Sequence, residues 1–456
     1  MTLTTTSRIE TLELQVREAL ELQNLEAVRA LLRDRHPADV ADVIDRLDDD
    51  LQLEVFQLLE PDQAADVLGE TSADATRELL EQLPAEQAVE LLERMPVDDV
   101  AEILSEDVPE RQQDLLAEME PLDAAEVRAL LQYPPQTAGR LMIGKFVQVQ
   151  PELTAAEAIE LLRQIDAGIE TLNELYVLNE QRQVLGVVPL RSVITSAPDT
   201  RLETLMLRNP VTVLPETDQE EVARLVSQYD LLALPVVDSD GHMLGIITID
   251  DVVDVLVAET TEDVLRFGGV ESGQVDQPYF DVSLPEAIRR RIVWLLLLFV
   301  AGTLTSAVVQ LFERELAEMI VLSAFIPLLI GTGGNTGAQT VSTVIRGLAL
   351  GEIRLRDAWL VVLRELRNGL VLGVLLGIIA FGWVYLWGNS MQISVVIALS
   401  IVAICTWANT IGSLVPLIAQ KLKIDPATVS APLITTLVDA TGLAIYLLIA
   451  KALLGL

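Results

Sequence analysis

Cysteine is all but missing from this 456-residue chain: there is one, Cys405, inside an apolar run. No intrachain disulfide can form, and no oxidising compartment is implied. Histidine is limited to His36 and His242, which excludes a His-rich zinc or copper centre and leaves metal chemistry to oxygen ligands. Basic residues are scarce beside acidic ones, 31 Lys and Arg against 68 Asp and Glu, for a formal net charge of −37. Phosphate is repelled by such a surface, so no nucleic acid is expected as a partner. There is no P-loop and no nucleophile–base pairing, so the chain is not expected to be an enzyme. The opening residues, MTLTTTSRIETLELQ, lack the basic start and apolar core of a signal peptide. The first part of the chain is therefore expected to stay in the cytoplasm.

What is present is divided unevenly. Residues 289–456 hold 12 basic and 8 acidic side chains, whereas the first 288 hold 19 and 60, a net of −41 for that part. This exceeds what solubility requires and points to divalent cations as partners. The C-terminal part is mostly apolar, with five stretches long enough to cross a bilayer, about 20 residues each. They run roughly over 293–312, 319–350, 368–387, 393–419 and 430–454. Arg289–Arg291, Arg346, Arg354, Arg356, Arg364, Arg367, Lys421 and Lys423 fall on one side; only Arg314 and Lys451 fall opposite. The positive-inside rule then puts the N-terminal part in the cytoplasm and the C-terminus outside, with Trp383, Tyr385 and Trp387 as the outer aromatic belt.

In chain order, apolar residues recur at helical spacing over 8–33. Proline-led segments follow at Pro37, Pro61, Pro84, Pro96 and Pro121, spaced 24, 23, 12 and 25 residues apart. Proline suits a first helical turn, and the Asp or Glu behind it suits the positive end of the helix dipole. Residues 1–134 are thus read as an acidic, all-α superhelical repeat domain. Two copies of a strand–helix–strand–strand–helix pattern come next, over 135–200 and 201–258, with turns at Asn179-Glu180-Gln181 and Asp238-Ser239-Asp240-Gly241. The pair resembles tandem CBS domains, an α/β fold. GIITIDD in the second copy carries that family's Gly-x-x-Thr-x-x-Asp pattern at Gly245, Thr248 and Asp251. The resemblance implies an adenine nucleotide there, with Asp251 on the ribose. The first copy has Pro189 and Ser192 in the corresponding places.

Residues 248–288 are read as a connecting, plug-like helix and linker. At 100° per residue Asp251, Asp254 and Glu262 share one stripe, flanked by Asp250, Glu259 and Asp263. Like charges at this spacing repel, so the stripe is read as one that binds cations. In the membrane part, the second apolar stretch contains GTGGNTGAQ at 331–339. Its glycines are expected either to break the helix and free carbonyls toward a cation or to pack closely against neighbouring helices. Asp439 is the only charge in the last stretch before Lys451. An acid near the middle of a span costs about 2.5–3.5 kcal/mol to insert, so a hydrated cation is its expected partner.

GTGGNTGAQ, the following RGLALGEI and DPATVSAPLITTLVDATGLAIY at 425–446 resemble the MgtE family of magnesium transport proteins, as does the order of domains. The resemblance implies a homodimer in the cell (inner) membrane, with a pore on its twofold axis and Asp439 binding hydrated Mg2+. Asn335, Thr435 and Ala431 are expected to line that pore. It also implies Mg2+-selective, channel-like transport, closed when cytoplasmic Mg2+ binds the acidic domains. The implied regulatory ligands are Asp230, Asp251, Asp254, Glu259, Glu262 and Asp263, with Asp98, Asp99 and Glu102 in the N-terminal domain. ATP is a further expected ligand of the CBS pair, at Thr248 and Asp251. Oxygen ligands alone leave open a transporter of Mn2+ or Co2+, or a membrane-anchored nucleotide or cation sensor that transports nothing.

Overall fold

The computed structural model describes residues 5–165, 169, 171–273 and 282–456. Two compact units are distinguished, Met1–Ala258 and Glu259–Leu456.

In the first unit, helices of 8–17 residues fill the chain from Thr5 to Leu131. Pro37, Pro61 and Pro121 open their helices, where a missing N–H costs nothing, while Pro84 and Pro96 sit one residue earlier as caps. From Pro37 on, each helix packs on the next but one. Pro37–Asp45, Pro61–Glu70, Ala85–Leu92 and Pro109–Glu118 form one row, and Asp49–Phe56, Ala73–Gln82, Val97–Glu106 and Pro121–Leu131 the other. No single helix of this length is stable alone. The two rows bury Val43, Ile44, Leu68, Leu79, Leu92 and Leu104 between them.

The α/β module follows. Strands β1 (Gln148–Val149), β2 (Glu174–Leu178), β3 (Val184–Pro189) and β4 (Leu207–Arg208) form one sheet in that order, β1 parallel to β2 and the rest antiparallel. β5 (Ala233–Val237) and β6 (Met243–Thr248) form an antiparallel pair. The expected first strand of the second copy is reduced to a bridge between Val213 and Val236. Pro210 and Pro215 flank it, and proline offers no N–H to a ladder. The two hairpin turns are built alike. Asn179 Oδ1 accepts from the amides of Gln181 and Gln183, and Asp238 Oδ1 from those of Asp240 and His242. The hairpins meet tip to tip, Val184 N donating to Gly241 O and Met243 N to Arg182 O. The module ends in one helix, Ile249–Phe267. Of the linker expected beyond it, residues 274–281 lie outside the described residues.

Among the described residues the second unit contains five helices long and apolar enough to cross a membrane: Leu284–Leu311, Ile326–Ala349 with a leading 3-10 turn from Ile320, Ala358–Leu386, Met391–Lys421 and Ala431–Leu454. The first and third begin earlier than their apolar stretches, because helical turns bearing Arg289–Arg291, Arg364 and Arg367 continue outside the apolar length. The glycine-rich stretch does not break its helix. Ile326–Ala349 runs unbroken through GTGGNTG, so its carbonyls stay within the helix and close packing explains the glycines. A Cβ on Gly333 would lie 2.6 Å from Ile404 Cγ2, and one on Gly337 3.0 Å from Ile434 Cγ2. The third and fourth spans approach in the same way. At Gly369, Gly373 and Gly377 a Cβ would fall 2.7–2.9 Å from backbone atoms of Cys405, Val402 and Ala398. Gly373→Ala is therefore expected to cost about 1–3 kcal/mol and to lower the thermal midpoint in detergent. Gly331→Ala, with nothing within 4 Å, should leave it unchanged.

Candidate cation sites

Asp439 lies in the fifth span, whose start is capped by Ser430 Oγ accepting from Leu433 N at 3.4 Å. Opposite it, the second span presents Gly334. A Cβ there would sit 3.4 Å from Asp439 Oδ1 and 3.4 Å from Thr435 Cβ, so glycine leaves space beside the carboxylate. Asp439 is partly accessible, and among the described residues no hydrogen bond or ion pair reaches it. Thr435 donates to Pro432 O at 2.9 Å, which leaves its oxygen lone pairs to accept from a hydrated ion. Ala431 is half-buried one turn before Thr435, and Asn335 is exposed beside Gly334. An acid with no partner among the described residues, and a threonine hydroxyl one turn away on the same helix, suit a hydrated divalent cation, which gives up water reluctantly.

A second group of acids lies in the first unit. Asp98, in the first turn of Val97–Glu106, is 8% exposed, and its Oδ1 is buried without a hydrogen-bond partner. Burial, then the Asp251 and Asp99 carboxylates, push its carboxyl up to about 8. Asp251 is pushed up to about 6, again mainly by burial; a 2.6 Å hydrogen bond from Thr248 Oγ1 opposes the shift. Thr248 and Asp251 thus close the first turn of the connecting helix, and Asp254 faces Asp251 electrostatically. Glu102 is exposed one turn beyond Asp98. Acids that burial and each other hold near neutrality gain from a bound cation. Asp230 joins neither group; it is exposed at the left-handed end of Gln219–Tyr229, φ 52°.

A third group lies in the second unit. Asp263 is pushed up to about 6 by burial, then by Asp425 and Glu259, with Arg266 opposing. Arg266 pairs with Glu262 and, at 2.5 Å, with Asp425 Oδ2. Ser272 Oγ donates to Glu262 Oε1 at 3.0 Å. Phe267 packs against a cluster formed by Val341, Ala408, Ala419, Val429, Ile434 and Val438, so the end of the connecting helix rests on the membrane helices. Sequence reasoning missed Asp425 and Arg266 as members of this group. Asp425 stood in a quoted motif, but nothing local tied it to a helix 159 residues earlier. Asp238, Asp240 and His242 also bring three ligand atoms within 4.8 Å of one another. Their mutual bonds, His242 Nδ1 to Asp238 Oδ2 at 2.8 Å among them, are those of the hairpin turn.

Comparison with known proteins agrees with this layout. The divalent cation transporter family model matches residues 326–449, the MgtE intracellular N domain 35–136, and the CBS domain 138–199 and 202–258. The magnesium transporter MgtE of Thermus thermophilus is 41% identical over 74% of this chain and 74% of its own length. That of Bacillus subtilis is 34% identical over 73% of each. The cytosolic domain of the Mg2+ channel MgtE, crystallised in complex with ATP, is 37% identical with a TM-score of 0.51, covering 53% of this chain and 99% of that one. The chain is thus a multi-pass membrane protein with a helical N-terminal domain and a CBS pair, and it belongs to the MgtE family of divalent cation transporters.

Proposed function

We propose that the chain carries Mg2+ across the cell membrane in a channel-like manner, as a homodimer with the N-terminal domains in the cytoplasm and the C-terminus outside. The observation that carries this reading is the unpartnered Asp439 carboxylate beside Gly334 in the fifth span. The names of the relatives point to the same ion. Two Asp439 side chains at a twofold axis would hold one hydrated ion without a dedicated cage. The orientation rests on the sorting of basic residues, and the 2.6 Å pair of Lys451 with Glu315 joins two side chains at the opposite end. Purified chain in proteoliposomes should admit Mg2+ faster than Mn2+ or Co2+. Equal entry of all three would make it a general divalent transporter, and no entry would leave a sensor.

We propose further that cytoplasmic Mg2+ closes the pore by binding both groups of acids. Asp98, Asp99, Glu102, Asp251 and Asp254 serve in the first unit, and Glu259, Glu262, Asp263 and Asp425 in the second. Asp230 would contribute only across the dimer.

ATP is proposed to bind at Thr248 and Asp251. Asp251→Ala should weaken ATP binding to the full chain at least tenfold by calorimetry, while Ser192→Ala and Asp254→Ala leave it within twofold. Asp251 also accepts the Thr248 hydroxyl, so its loss costs about 1 kcal/mol of helix capping. Equal loss in the Asp254 variant would assign the effect to metal rather than nucleotide.

A further inference from the structure

One buried charge has no role in the account above. Arg140, in the short helix Ala138–Leu141, is 9% exposed, and its Nη1 is buried with no acceptor. Among the described residues no hydrogen bond reaches its guanidinium; Glu102 is the one charge that acts on it. Its helix packs on Val97–Glu106, which carries both Asp98 and Glu102. Burying a guanidinium without partners costs several kcal/mol. Within the same junction Asp98 Oδ1 is buried and lacks a donor. A donor without an acceptor thus sits on a helix packed against the one that carries an acceptor without a donor, and Arg140 leaves the Asp98 oxygen unclaimed.

We infer that Arg140 is a built-in counter-charge that offsets Glu102 and so weakens divalent cation binding at Asp98 and Asp251, setting the cation level at which that group fills. This rests on the proposal that Mg2+ binds the acids of the first unit. A fixed positive charge beside such a group repels a divalent ion twice as strongly as a monovalent one, and in a partly buried site the repulsion is poorly screened. Removing it takes one positive charge from beside a helix that carries Asp98 and Glu102 one turn apart.

The test is Mg2+-dependent protection of the full-length chain from limited proteolysis in detergent. Arg140→Gln should lower the Mg2+ midpoint roughly three- to tenfold. Arg140→Lys should stay within twofold, and adding Glu102→Gln to Arg140→Gln should raise the midpoint again. A midpoint unchanged or raised in Arg140→Gln, while Asp98→Asn still raises it, would overturn the counter-charge and leave the cation site standing. No Mg2+ protection in the unaltered chain would remove both. Should Arg140→Gln fail to fold, Arg140→Met, which fills the space without a buried unsatisfied donor, is measured in its place. Failure of both alongside a folded Arg140→Lys would make Arg140 a structural residue and overturn the inference.

Discussion

Asp439→Asn is expected to abolish Mg2+ entry into proteoliposomes while leaving the protein folded. The amide keeps the shape and one oxygen but loses the charge, and a divalent ion at membrane depth has no other nearby carboxylate to neutralise it. Of the eight acids after residue 288, Asp439 alone falls in the middle of a span. Removing a mid-span charge also eases insertion by about 2.5–3.5 kcal/mol, so yield and thermal midpoint in detergent should hold or rise. The paired outcomes give the test its force, because a misfolded variant would lose both. Flux at the unaltered level in a well-folded Asp439→Asn protein would remove Asp439 from the pore. Gly334→Ala is a milder companion. Its added methyl meets Asp439 Oδ1 at 3.4 Å, an ordinary contact, so folding should survive while the space for a hydration shell shrinks and flux falls.

The second large effect is expected on closure. Moving a gate from 1:99 to 99:1 takes about 5.5 kcal/mol of differential binding. One exposed ion pair supplies about 0–1 kcal/mol, so several sites must act together and closure should be cooperative in Mg2+. Neutralising Asp251, Asp254, Glu259, Glu262 and Asp263 together sets two effects against each other. Relief of repulsion favours the closed form, and loss of bridging cations favours the open one. The second should prevail, since neutral amides repel less but do not attract. The fivefold variant should conduct at internal Mg2+ that shuts the unaltered chain, and Mg2+ should no longer protect its soluble part from proteolysis. A variant that stays shut without Mg2+ would mean the acids form a solvated, self-repelling face. Arg266 gives a useful internal contrast: with Glu262 neutral it keeps Asp425, so this contact persists without metal.

The sequence announced what periodicity and composition determine. Five spans, the all-α helical repeat and the duplicated α/β module all follow from local patterns, and all are present among the described residues. Two kinds of feature were not legible. Whether GTGGNTG breaks its helix depends on how closely Ile404 and Val438 approach, and the glycines themselves carry no record of that distance. Nor could the repeat distinguish Asp98 from the acids that open its other helices. Asp98 stands out only through burial, which comes from neighbours far along the chain. Arg140 and Arg266 escaped notice for the same reason, since each matters through a partner on another element.

The order in which the spans find their neighbours bears on how the protein is made. The first span buries none of its residues within the chain, and its main neighbour is the fifth, which begins 120 residues after the first ends. At about 5–20 residues per second a ribosome needs on the order of ten seconds to deliver that partner. For this interval the first span must cross the lipid unaided, and it is the most apolar of the five. The second, glycine-rich and the least apolar, follows after one short helix, Glu313–Glu318. Its stability waits on the fourth and fifth spans, so the proposed cation path is assembled last, when translation is nearly finished.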